Sequence, residues 1–142
     1  MLAGGIVGRL LSSSSINNCY NMGSVSTTAS GSTYAGGIVG EMSNSYVSNV
    51  YNTGLINATT ASGIVGVPEG GKSMINCYYS TDSATRGYGP TGGASLIITN
   101  VKSLTSTQMC QQSSFDGFDF TTVWAISPSI NNGYPYLRGL QP

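Results

Sequence analysis

The sequence predicts an all-β chain: a right-handed parallel β-solenoid (β-helix) of about three coils, with a C-terminal cap containing a short helix. Three observations carry this. The phrase "GGIVG" stands at residues 4–8 and 36–40, and its core "GIVG" returns at 63–66. Each copy is followed by an Asn at a near-constant distance: 13 residues from Gly5 to Asn18, 12 from Gly37 to Asn49 and 13 from Gly63 to Asn76. The stretches between these anchors are short, β-branched and bounded by Gly, Ser and Asn, which is strand-and-turn chemistry.

The anchors divide the chain into units 3–34, 35–62 and 63–84. Each full unit holds three short apolar stretches, and none shows helical periodicity. Such a unit cannot bury its own apolar face, but a stack of units can. One unit per coil gives three parallel sheets along the axis, and parallel crossovers are right-handed in the great majority of cases. Stacking places Ile6, Ile38 and Ile64 in one column and Val7, Val39 and Val65 in the next. Alternation along a strand sends one column inward and one outward, with Ile the favoured inward column. The flanking glycines suit corners that need positive φ or close backbone approach.

The second anchor forms a column Asn18, Asn49, Asn76. Asn tolerates the left-handed region, and stacked Asn side chains can bond one another up the axis. A corner there lets both Ile16 and Cys19 point inward, which strict alternation forbids. A column Tyr20, Tyr51, Tyr78 follows, and then N-x-G turns at Asn21–Gly23 and Asn52–Gly54.

After residue 80 the pattern breaks. Residues 80–95 are rich in Gly, Ser and Thr and read as a loop. "LIITNV" (96–101) reads as a strand, and Thr105 with Gln108 has capping-box spacing for a short helix. All three Phe and the only Trp lie beyond. Phe115, Phe118, Phe120, Trp124, Tyr134 and Tyr136 are the expected material of an aromatic plug. The organisation is therefore repeat coils plus loop over 1–95 and a cap over 96–142, the cap blocking edge pairing at the open end. The first residues enter a repeat at once. We therefore expect a piece of a longer chain, or end-to-end association, to cover the N-terminal coil.

Charged residues are 7% of the chain against about 25% in ordinary domains. The formal net charge is zero, so no electrostatic footprint for nucleic acid exists. No apolar run reaches the length of a membrane-spanning helix. Histidine is absent, which removes Ser-His-Asp triads, Cys-His pairs and H-E-x-x-H zinc sites. The acids are Glu41, Glu69, Asp82, Asp116 and Asp119. Glu41 and Glu69 read as solvated turn residues; the competing reading is a carboxylate pair of a polysaccharide lyase. "FDGFDF" reads as turn and cap chemistry, because Ca²⁺ wants six or more oxygen ligands. The Thr pairs 27–28 and 59–60 form no regular array of the kind ice binding needs. We expect no cofactor and no metal.

Cys19 and Cys77 share a repeat position, with Val50 on the coil between. Two coils span about 9–10 Å, beyond the disulfide limit of about 7 Å. They are expected to be unbonded core residues. The candidate ligand-binding residues are Tyr20, Tyr51 and Tyr78, because sugars stack on aromatic faces beside polar groups. The alternative for them is an internal ladder that stabilises the sheet.

At these anchors the chain resembles the GLUG-motif repeats of bacterial surface proteins. "GIVG" matches the motif's Gly-Leu-hydrophobic-Gly core, and Asn18–Ser26 matches the phrase that follows it. That phrase is recognisable at Asn49–Asn57 and decayed at Asn76–Ser80. The ending "VWAI…NNGYPYL" (123–137) is similar to the segment that often follows such repeats. The resemblance implies an extracellular, bacterial cell-surface location and an adhesive or stalk role beside adjacent repeats, with glycans or host surface proteins as partners. It carries no catalytic residue. Its second implication is an accessory domain of a secreted protease or polysaccharide-degrading enzyme.

Overall fold

The structure, a computed structural model, describes residues 1–92 and 95–140. Gly93, Ala94, Gln141 and Pro142, which the expected loop and cap include, lie outside the described residues. The chain is a β-solenoid of three coils. Coil one holds β1 (Leu2–Gly4), β2 (Val7–Leu11), β3 (Ser15–Asn21) and β4 (Val25–Ser26). Coil two repeats them as β5 (Tyr34–Gly36), β6 (Val39–Ser43), β7 (Tyr46–Asn52) and β8 (Ile56–Asn57). Coil three has β9 (Thr60–Ser62), β10 (Val65–Gly70) and β11 (Ser73–Ser80). Every pairing between coils is parallel.

Four parallel sheets result, where three were expected. The reason is that "GGIVG" straddles a corner. Its first Gly ends one strand, Gly5 and Ile6 bend, and Val7 begins the next. At the bend one carbonyl serves two consecutive donors: Ile38 O accepts from Ile6 N at 3.0 Å and Val7 N at 3.1 Å. Coil two repeats this toward Ile64 O. A chain turning this sharply does not alternate. Both Ile38 and Val39, and both Ile64 and Val65, are fully buried in the main core. The expected choice between an Ile column and a Val column therefore does not arise. None of the glycines in the three phrases has positive φ, and all but Gly8 serve close approach of backbone or side chain instead.

The Asn column is a corner, as the sequence indicates. Asn18, Asn49 and Asn76 have φ of 49°, 51° and 52°. The left-handed residue resets the face, so Val47 and Val50, three apart, both enter the main core, as do Met74 and Cys77. Asn76 Nδ2 donates to Asn49 Oδ1 at 3.0 Å, and Asn100 Nδ2 donates to Asn76 Oδ1 at 3.1 Å. Replacing Asn49 by Ala is expected to cost about 1–3 kcal/mol, from the left-handed backbone and the loss of a half-buried hydrogen bond to Asn76. Asn49→Gly, which keeps the backbone and loses only the ladder, costs less. Urea midpoints of the two variants check the order.

Asn100 belongs to β12 (Ile97–Leu104), which pairs parallel with β11 as a fourth rung of the longest sheet. The strand read at 96–101 is thus solenoid, and not cap. Part of the expected loop is solenoid too. Arg86 O accepts from Gly63 N at 2.7 Å, Gly87 O accepts from Ile64 N at 2.8 Å, and Tyr88 bridges Val65. "RGYG" (86–89) therefore stacks over "GIVG" (63–66) as a partial fourth coil.

The true cover is the segment from residue 105 to residue 140. It opens with α1 (Ser106–Met109), whose capping box joins Thr105 and Gln108 in both directions. It continues through a short antiparallel pair, β13 (Trp124–Ala125) with β14 (Tyr136–Leu137). This segment lies along the outer face of the longest sheet and reaches back to coil one, where Trp124 Nε1 donates to Asn18 Oδ1 at 3.3 Å. It roofs a side wall, where an end plug was expected.

Candidate functional site

The Tyr column is the site the sequence put forward, and its register is as read: Tyr20, Tyr51 and Tyr78 are direct neighbours. Its surroundings are not those of a ligand site. Tyr51 and Tyr78 have no exposed surface. Tyr20 and Tyr51 stack at 5.1 Å with rings 2° from parallel. Phe115 meets Tyr51 at 5.8 Å and Tyr78 at 5.1 Å, each edge-on. Phe118 meets Tyr78 at 5.6 Å and stacks on Trp124 at 4.6 Å. The faces a sugar would use are covered by the chain's own aromatic residues, so the proposed ligand role of Tyr51 and Tyr78 is corrected to internal packing. Tyr20, at the edge, is half-buried and tilts against Trp124 at 6.1 Å.

The phenol groups anchor the roof. Tyr51 OH donates to Pro135 O at 2.5 Å and accepts from Asn131 Nδ2 at 3.0 Å. Tyr78 OH donates to Asp116 O at 2.8 Å and accepts from Asn100 Nδ2 at 2.6 Å. Buried phenols need such partners, and sequence spacing held no signal for these, since they join residues 22 to 84 positions apart.

The cysteines are free, with Val50 in register between Cys19 and Cys77. Burial pushes the Cys19 thiol up to about 11 and the Cys77 thiol up to about 12, from 9.0. Burial also raises the Tyr78 phenol from 10.0 to about 12, against the opposing bond from Asn100. Above about pH 9 the unfolded chain releases these protons first and so binds fewer than the folded chain. Stability then falls with rising pH. It is expected to be level below about pH 9 and to decline toward pH 12, measured as urea midpoints across that range.

The acids do not converge. Arg9 holds Glu41 through two bonds, Nη2 to Oε1 at 2.8 Å and Nε to Oε2 at 3.1 Å. Glu41 faces Val67 in the register, so Glu69 is not its neighbour across the sheet. Asp116 lies 3.6 Å from Lys102. Asp119 accepts from the Thr122 hydroxyl and from the N–H groups of Thr121 and Thr122, and these bonds hold its carboxyl below the usual range. Among the described residues no three His, Cys, Asp or Glu side chains gather as metal ligands.

Shallow hollows occur on the surface of the described residues. One, of about 270 Å³, is lined by Cys110, Ile126, Ser127, Pro128, Asn132 and Gly133. Another, of about 210 Å³, is lined by Ala58, Thr59, Thr60, Ala61, Thr85 and Arg86. Both fall below the roughly 300–1,000 Å³ of small-molecule pockets. The chain's polar and aromatic columns thus join coil to coil and roof to wall, and its outside carries no formal net charge but mixes polar residues with exposed apolar ones such as Ile6, Leu55 and Ile97. No family model, no curated protein and no solved structure matches the chain.

Proposed function

We propose that the chain is a non-catalytic structural and adhesive module of a bacterial cell-surface protein. One observation carries this: the side chains with recognition chemistry, the Asn and Tyr columns, are used to hold coils and roof together. What remains outside is a surface of no net charge on which Ser, Thr and Asn are frequent. A solenoid grows by repetition and suits a spacer that presents such a surface to glycans or host proteins. The resemblance of its "GIVG" and "NCYNMGSVS" phrases to GLUG repeats supports the surface location. The dispersed acids, two of them engaged by Arg9 and Lys102, support the absence of catalysis.

The test is a glycan array and a panel of host extracellular proteins probed with the intact chain. The expected result is binding that survives about 0.5 M salt, where contacts between exposed charges are screened. Silence across both panels removes the adhesive role. Turnover of an acidic polysaccharide that is lost in Glu41→Gln contradicts the non-catalytic reading.

A further inference from the structure

We infer that the N-terminal face of coil one is an interface for a further coil of the same repeat class, laid parallel and in register. The first observation is a column of glycines: Gly8, Gly40, Gly66 and Gly89. A Cβ on Gly40 would stand 2.5 Å from Gly8 O, and one on Gly66 would stand 2.5 Å from Gly40 O. One on Gly89 would lie well inside contact distance of Gly66 O. Each glycine is demanded by the carbonyl of the coil before it. Gly8 has no coil before it. Nothing lies within 4 Å of its would-be Cβ, and its φ is not positive. No feature of coil one requires glycine there, and a preceding carbonyl would.

A second column says the same on a different side of the coil. A Cβ on Gly54 would press into Gly23 O, whereas at Gly23 the nearest atom is Asn21 Oδ1 at an ordinary 3.5 Å. Exposure follows the same division. Ile6 is 47% exposed while Ile38 and Ile64 are sealed. Cys19 is half-buried while Val50 and Cys77 are sealed. The hydrogen bonds are also open to extension. Tyr46 N donates back to Ser14 O at 2.9 Å, and Ile97 N donates back to Lys72 O at 2.9 Å. Ser15 holds the same register position as Tyr46 with no coil beneath it.

These features choose the occupant. A single strand added to an open edge would use one sheet only. Gly8 and Gly23 lie on different sides of the coil and both leave room for close-packed backbone. Only a segment that turns through both sides, as a coil does, meets both. The register between Tyr34 and Thr60 makes 26 residues one full turn of that coil.

The experiment adds a copy of residues 34–59 directly before Leu2, leaving the whole chain in place. Two quantities are read: the alkylation rate of Cys19, mapped by mass spectrometry, and the unfolding midpoint. The added coil is expected to slow Cys19 alkylation about tenfold or more and to raise the midpoint by about 5 °C. Gly8→Val is expected to erase both gains in the extended protein, yet to leave the unextended chain within about 2 °C. An added coil that stays protease-labile with Cys19 as reactive as before overturns the inference. So does an extended Gly8→Val protein that keeps both gains. Concentration-dependent protection of Cys19 in the unextended chain, abolished by Gly8→Val, assigns the face to a second copy and overturns the choice of occupant.

Discussion

Gly36→Ala is expected to destabilise the protein by more than about 3 kcal/mol, while Gly8→Ala leaves stability within about 0.5 kcal/mol. Both residues belong to the same repeated phrase, so the phrase alone does not rank them. The corner does. A Cβ on Gly36 would meet Gly66 N at 2.5 Å and Ile64 O at 2.6 Å, and would press into Val39 O as well. All three are main-chain atoms of the ladder, which cannot swing aside as a flexible side chain can, so the strain falls on two coils at once. At Gly8 the space is open. Equal losses from the two substitutions, read as urea midpoints, would contradict the corner assignment.

Tyr51→Ala is expected to cost about 3–5 kcal/mol, the usual loss for a large buried aromatic side chain. Tyr51 is sealed, stacked on Tyr20, and bonded through its hydroxyl to Pro135 O. Truncation removes the centre of the wall on which the roof rests and leaves Asn131 Nδ2 without that hydroxyl. Trp124 reports the event, because it is the only tryptophan, is fully buried and sits 5.9 Å from Tyr51. Its fluorescence emission is expected to move to the red at denaturant concentrations where the native chain is unchanged. Unaltered emission and stability would contradict the packing role of Tyr51.

Much of the coil was legible in the sequence because stacking repeats its own requirements. The Asn anchor recurs since each coil needs a left-handed corner at one place, and this also let Ile16 and Cys19 be read as facing the same way. The N-x-G turns were legible for the same reason: Asn21 and Asn52 each accept from the Gly N–H two residues on, at 3.1 Å. The partial fourth coil was not legible. "RGYG" shares little with "GIVG" beyond its last Gly, and the backbone bonds that align them do not depend on side-chain identity. In coil three the decayed phrase carries an aromatic residue where coil two has Asn. Tyr79 stands where Asn52 does in the register, and its ring meets Gly63 as the Asn52 amide meets Gly37.

The roof was legible as content and not as place. Six aromatic residues near the C-terminus announce a packed unit, but sequence order does not say which wall they cover. The Tyr column had the same ambiguity, since a regular aromatic ladder looks alike whether sugar or Phe115 lies on it. Covering the column requires contacts between residues as far apart as Asn18 and Trp124. No local spacing encodes such a contact, so the sequence alone does not separate a ligand platform from a covered ladder.

Register is the claim from which the rest follows, and disulfide trapping measures it directly. With Cys110→Ser removing the exposed thiol, Asn17→Cys is combined with Ser48→Cys or with Tyr46→Cys. Asn17 and Ser48 are direct neighbours on adjacent coils, about 4.8 Å apart and within the range a disulfide spans. Tyr46 instead faces Ser15, which places it about 8 Å from residue 17, beyond that range. The account predicts rapid oxidation of the 17–48 pair and none of the 17–46 pair. Oxidation of the 17–46 pair, or of neither, would contradict the stacking of the coils.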